Sequence, residues 1–167
     1  SNTLWFGSYS HGLFRYDKNS DSFTNFSHQP NDPTSIGLND VRVILEDSKN
    51  NLWVGTNGGG LSLLPAGSTK FVNYNPQNSS IASDCIRALA EDKHGNLIIG
   101  TYASGLKYFI KDQNKFVDYF TRAESEKFLT NHFIYSLYLD ENENLYIGTE
   151  GDGLVIYNIR SHQFKRY

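Results

Sequence analysis

Apolar residues along this chain come in short runs of four to six, not in the longer 3.6-residue rhythm of a helix. Between residues 41 and 74 four such runs follow one another, at 41–46, 51–56, 60–65 and 69–74. Val, Ile, Leu, Tyr, Phe and Trp fill them, and Gly, Asn, Asp and Ser bound them. That is the pattern of short strands joined by tight turns. One stretch differs: at 121–131, Ala123, Glu124, Glu126 and Lys127 favour a single helical turn.

The runs repeat. Leu4-Trp-Phe-Gly-Ser8 returns as Leu52-Trp-Val-Gly-Thr56, Leu97-Ile-Ile-Gly-Thr101 and Leu145-Tyr-Ile-Gly-Thr149. Their glycines, Gly7, Gly55, Gly100 and Gly148, are spaced 48, 45 and 48 residues apart. A Gly-Leu pair follows each of them, at Gly12-Leu13, Gly60-Leu61, Gly105-Leu106 and Gly153-Leu154. Aromatic pairs close each unit in the same register, Phe23/Phe26, Phe71/Tyr74, Phe116/Tyr119 and Phe164/Tyr167. An upstream run begins 14 residues before three of the glycines, at Val41, Ile86 and Ile134, and ends in a turn carrying Asp47, Asp92 or Asp140. The first unit lacks that run.

Four antiparallel strands repeated every ~45 residues predict all-β β-propeller blades. The expectation is about four four-stranded blades, the first lacking its innermost strand, forming an arc of a larger propeller. The whole of 1–167 reads as one propeller segment, with units at approximately 3–38, 39–82, 83–130 and 131–167. A blade has two apolar faces, so stacking should bury Trp53, Ile98 and Tyr146 against the next sheet. The glycines in register suit the connection between second and third strands, where positive φ or close approach excludes a side chain. The Asp/Asn pairs suit the first hairpin of each blade, through side-chain-to-backbone hydrogen bonds.

Two segments, Val41-Arg-Val-Ile-Leu-Glu-Asp-Ser-Lys-Asn-Asn-Leu-Trp-Val-Gly-Thr-Asn-Gly-Gly-Gly-Leu61 and Ile86-Arg-Ala-Leu-Ala-Glu-Asp-Lys-His-Gly-Asn-Leu-Ile-Ile-Gly-Thr-Tyr-Ala-Ser-Gly-Leu106, closely resemble the two-component regulator propeller repeat. The resemblance extends over essentially the whole chain, as one truncated copy and three full ones. The fourth copy departs at Leu139, where the others have Glu46 and Glu91, and at Asn142-Glu143. What the resemblance implies is the periplasmic sensor of a Bacteroidetes-type hybrid two-component histidine kinase. Such a sensor responds to oligosaccharides, signals as a dimer and controls transcription through a membrane-anchored parent protein.

Composition narrows the partners. The chain has 167 residues and a formal net charge of −3, with Lys+Arg 15 against Asp+Glu 18, which gives no footprint for nucleic acid. No apolar run approaches the ~18 residues of a membrane span, so no membrane contact is expected of this segment. Cys85 is the sole cysteine, which rules out an intrachain disulfide and a cysteine metal cluster. It reads as a small, largely buried thiol. The five histidines have no ligand spacing, so neither metal nor cofactor is expected, although His132 lies just before an innermost strand. Glu46-Asp47 and Glu91-Asp92 fall in hairpin turns by register, so a catalytic carboxylate pair is not expected. No catalytic residue is assigned.

The positions where the repeats differ carry more information. Asn39, Arg42, Arg87, Tyr102, Asn131, His132 and Tyr135 fall at the innermost strands and adjoining turns, which surround one mouth of a propeller channel. Tyr, Arg, Asn and His together suit a sugar or acidic-glycan surface, by aromatic stacking and bidentate hydrogen bonds. The alternatives are a propeller enzyme of the streptogramin-lyase-like or glycosidase type, and a protein-interaction scaffold. The chain begins at Ser1-Asn2 without an initiator methionine, and no segment supplies the strand missing from the first unit. The expectation is therefore a fragment with open apolar blade faces that forms a homodimer with C2 symmetry.

Overall fold

A computed structural model describes residues 3–129 and 132–167. Fifteen strands among those residues form four antiparallel sheets. The first has three strands, β1 (Leu4–Gly7), β2 (Leu13–Asp17) and β3 (Ser22–Phe26). Each of the other three has four strands in chain order. The second holds β4 (Val41–Glu46), β5 (Leu52–Thr56), β6 (Leu61–Leu64) and β7 (Val72–Tyr74). In the third are β8 (Ile86–Glu91), β9 (Leu97–Thr101), β10 (Leu106–Ile110) and β11 (Lys115–Asp118). The fourth consists of β12 (Ile134–Leu139), β13 (Asn144–Thr149), β14 (Gly153–Asn158) and β15 (Gln163–Arg166). One helix, α1 (Arg122–Phe128), lies between the third and fourth sheets. Thr121 and Glu124 close a capping box on it, so a seven-residue segment holds its N-terminus.

The core consists of layers between sheets, one for each junction. Leu13, Trp5 and Phe26 of the first sheet meet Val41, Leu52, Val54, Leu64 and Phe71 of the second. Trp53, Leu61 and Tyr74 meet Leu89, Leu97, Ile99, Phe109 and Phe116 of the third. Ala90, Ile98 and Leu106 meet Leu145, Ile147, Val155 and Tyr157, with Phe128 of α1 joining them. The second strands β5 and β9 have covered sheets on both sides, and every residue in them is buried. The corresponding β13 alternates, because only one of its faces is covered.

That difference corrects one expectation. Trp53 and Ile98 are buried at 2% and 0% exposure, but Tyr146 in the same register remains half-buried beside the exposed Tyr138. No described sheet follows the fourth, so Tyr146 has no apolar layer to enter.

The glycines divide the work in a way the sequence left open. Gly55 and Gly100 lie inside β5 and β9, not in a turn. A Cβ on Gly100 would stand 2.6 Å from Ile134 Cγ2 of the next sheet, and one on Gly55 would stand 2.7 Å from Ile86 Cγ2. Close approach is the constraint there: the bare backbone lets the next innermost strand dock. Positive φ belongs to the later glycine of each unit, as at Gly60 (φ +79), where the chain turns into the third strand.

The acidic hairpin residues hold the turns at the far end of each innermost strand. Asp47 accepts from Asn51 N at 2.9 Å, Trp53 Nε1 at 2.8 Å and Lys111 Nζ at 2.9 Å. Lys111 also reaches Glu91 at 3.1 Å, and Glu91 accepts from Ser48 N at 2.7 Å, so these groups clasp the second sheet to the third. Burial would raise the Asp47 carboxyl, but its donors outweigh that and hold it far below the ordinary range. Asp92 accepts from Tyr108 Oη, and burial together with that bond pushes the phenol up to about 12. Asp140 is held by Asn144 N at 2.8 Å.

Candidate functional site

The opposite end of the innermost strands is built by a repeated irregularity. β4 pairs with β5 through Val41↔Thr56 and then Val43↔Gly55, leaving Arg42 without a ladder partner. The same shift in register leaves out Arg87 between Ile86 and Ala88, and Tyr135 between Ile134 and Ser136. A β-bulge bends the strand locally and re-aims the extra residue. Three consecutive blades therefore present their bulged side chain at one level of the structure.

A second row comes from the residue just after each second strand. Asn57 N donates to Asp40 O at 2.9 Å, Tyr102 N to Cys85 O at 3.0 Å, and Glu150 N to Phe133 O at 3.1 Å. These bonds tie Asn57, Tyr102 and Glu150 beside the start of the adjoining innermost strand. Tyr9 occupies the equivalent place two residues after Gly7.

The two rows interleave across blades. The Arg42 guanidinium covers the Tyr9 ring at 4.1 Å. Arg87 Nη2 donates to Asn57 Oδ1 at 3.2 Å, and its guanidinium lies 5.3 Å from the Tyr102 ring and 5.9 Å from the Tyr135 ring. Tyr102 and Tyr135 meet edge to face at 6.4 Å, and Tyr102 also packs on Phe133 at 4.7 Å. Tyr135 Oη donates to Glu150 Oε2 at 3.4 Å. Tyr9, Tyr102 and Tyr135 are 73%, 37% and 47% exposed, against 5% for Tyr157 in a core layer.

Electrostatics are settled in one part of the rim. Asp40 accepts from Arg42 Nη2 at 2.7 Å and from Asn57 Nδ2 at 2.9 Å. Burial alone would raise its carboxyl, but these partners hold it below the ordinary range, and Asp40 in turn raises Arg42. Cys85 is half-buried, its Sγ lies 3.3 Å from Asp84 Oδ1, and burial pushes the thiol up, away from a nucleophilic thiolate. No group of three His, Cys, Asp or Glu among the described residues could hold a metal ion.

Of the residues singled out in the sequence, the structure brings together Arg42, Arg87, Tyr102 and Tyr135. Asn39 instead serves the fold: its Oδ1 accepts from His28 N at 2.7 Å and its backbone oxygen from Gly12 N at 3.0 Å. His132 has the equivalent backbone role, accepting from Gly105 N at 3.0 Å, and its ring lines a groove with Arg122 and Lys107. Asn131 lies outside the described residues. Tyr9, Asp40, Asn57 and Glu150 join the cluster. The signal for Tyr9, Asn57 and Glu150 was in the chain, since each stands two residues after a repeat glycine.

Backbone strain sits in the same turn. Gly58 (φ +112) and Gly151 (φ +89) occupy the slot three residues after the repeat glycine, and in the third blade that slot holds Ala103 at φ +74. A side chain there costs energy that glycine avoids. Ala103 immediately follows Tyr102 in the chain.

The two-component regulator propeller family model matches residues 35–58, 80–103 and 129–151. Each match runs through an innermost strand and its bulge to the turn that carries the second row. Curated proteins yield no match. Among solved structures, the extracellular domain of a protein described as a hybrid two-component system, from B. thetaiotaomicron, superposes with TM-score 0.83 at 26% identity. The alignment covers 98% of this chain and 21% of that one. A second B. thetaiotaomicron extracellular domain gives TM-score 0.80 at 19% identity, over 98% of this chain and 23% of the other. Virginiamycin B lyase from Staphylococcus aureus shares the fold, with TM-score 0.69 at 10% identity over 100% of this chain and 53% of the enzyme. The chain thus spans about a fifth of the length of these two extracellular domains. With three of its units matched in phase, the chain carries two-component regulator propeller repeats.

Proposed function

We propose that the chain is a ligand-sensing segment of the periplasmic propeller of a hybrid two-component system, and that its signal is an oligosaccharide. The observation that carries the binding site is the interleaved row Tyr9, Arg42, Arg87, Tyr102 and Tyr135, drawn from four consecutive blades. Sugars present C–H faces to exposed aromatic rings and hydroxyls to forked donors such as guanidinium. The likeness to the extracellular domain of a hybrid two-component system supports the sensor role.

In this reading the chain performs no catalysis. Its thiol is raised rather than activated, and its hairpin carboxylates are engaged at the far end of the strands. Binding would act by favouring one arrangement of paired subunits over another, through a difference in affinity between the two.

The test is calorimetry of an oligosaccharide panel against the protein at its full encoded length. Saturable binding that weakens at least tenfold in Tyr102→Ala supports the reading. Conversion of any bound compound to product would overturn the non-catalytic part. Absence of binding across the panel would leave an interaction scaffold.

A further inference from the structure

We infer that Arg87 is an anion-binding group, so that the oligosaccharide taken at this rim carries a carboxylate or sulfate; this rests on the rim being the glycan site. Two arginines occupy equivalent bulges, yet their surroundings differ. Arg42 Nε lies 2.6 Å from Asp40 Oδ1, and its Nη2 donates to the same carboxylate at 2.7 Å. Its charge is matched within the protein. Arg87 has no carboxylate within ion-pair distance among the described residues. The hydrogen bond that its guanidinium makes there goes to the neutral amide oxygen of Asn57, at 3.2 Å. The Nε of both arginines is shut off from solvent and makes no hydrogen bond, so the two differ in countercharge and not at Nε.

Asp40, the carboxylate that Arg87 acts on through space, is already bound to Arg42. Asp40 is held by Arg42 and Asn57, Asp84 lies against the Cys85 thiol, and Glu150 accepts from Tyr135. The neighbours that face the guanidinium are the rings of Tyr102 and Tyr135, which attract a cation without neutralising it. A guanidinium presents its donors as a planar fork that fits two oxygens of one anionic group. A carboxylate or sulfate arriving at the terminal nitrogens of Arg87 would supply a countercharge of its own. The sugar ring bearing it would then lie against Tyr102 and Tyr135. A neutral sugar could satisfy those donors but would leave the charge unmatched.

The experiment compares acidic oligosaccharides with their neutral counterparts, carboxyl-reduced and free of sulfate, on the protein at its full encoded length. Suitable probes are oligogalacturonates, a hyaluronan tetrasaccharide and chondroitin-derived disaccharides, the last with and without sulfate. One acidic probe is expected to bind at least tenfold more tightly than its neutral form, and to weaken as sodium chloride rises. Arg87→Gln is expected to weaken that probe about 10- to 100-fold, the range of a charged hydrogen bond, and to abolish its preference over the neutral form. Arg87→Lys should retain part of the preference, which keeps the test informative if the glutamine variant unfolds. Neutral probes binding as tightly as acidic ones, with no effect of Arg87→Gln, would overturn the anion inference and leave the glycan reading standing. Failure of every probe, acidic and neutral, would overturn both.

Discussion

Two small residues in the third blade carry opposite loads. Gly100 gives way to Ile134 of the next sheet, whereas Ala103 holds a left-handed backbone with no glycine to ease it. Gly100→Ala would drive a Cβ to 2.6 Å from Ile134 Cγ2 and 3.1 Å from Ala88 Cβ. Overpacking of that kind costs about 1–3 kcal/mol, and urea titration should show a lowered midpoint with an unchanged slope. Ala103→Gly should do the reverse, stabilising by about 1 kcal/mol as the strain at φ +74 is released. Calorimetry on the same variant would report whether the strained turn also positions Tyr102, since a loosened ring should weaken glycan binding while the protein melts later.

At the scale of elements, the unit is a hairpin pinned at both ends. Asp47 pins one end with bonds to Asn51, Trp53 and Lys111, and the side chain is buried. Asp47→Ala strands the Trp53 N–H and leaves Lys111 with Glu91 as its one carboxylate partner, so a loss of about 2 kcal/mol is expected by denaturant titration. The same bonds set a pH dependence. The folded carboxyl is depressed below its ordinary 3.8, so its stabilising contribution is complete above that range. As pH falls below about 4 the unfolded chain takes up the proton first, and the contribution is lost progressively. Acid titration of the unfolding midpoint should show this loss in the wild type and less of it in Asp47→Ala. The bulge pins the other end, and there the chain places Arg42, Arg87 and Tyr135. Strand type and turn residues were legible from the repeat. The bulge was not, because a register shift arises from pairing between strands and leaves no mark in either strand alone.

For the molecule as a whole, the two end faces are continuations of sealed ones. Leu4, Phe6, Tyr16 and Phe23 in the first sheet stand in the register of Leu52, Val54, Leu64 and Phe71, which close the first junction. Tyr146 at the other end stands in the register of Trp53 and Ile98. Leu4, Phe6 and Phe23 are exposed, and Tyr138 lies open beside Tyr146. An apolar face of that kind favours association. The 167-residue chain on its own is expected to pair head to tail with a second copy, each last blade covering a partner's first. Sedimentation should show a species of twice the 19.0 kDa chain mass. Lysine at both Phe6 and Phe23 should return it to monomer, and a stable wild-type monomer would exclude the pairing.

The repeat by itself determined the strands, their order and the blade they build, because period and turn chemistry are local properties that each unit carries in full. It also marked the residues that vary at the strand starts. Which of those residues converge was decided only by the stacked sheets. Asn39 and Arg42 lie three positions apart, yet one holds the backbone of the loop at His28 and the other covers Tyr9 of the preceding blade. Tyr146 and Trp53 share a register, yet only Trp53 has a sheet to bury it. For Trp53 and Tyr146 the register is equivalent and the neighbouring blade is not. Burial and convergence are contacts between units distant in the chain, and no single unit encodes them.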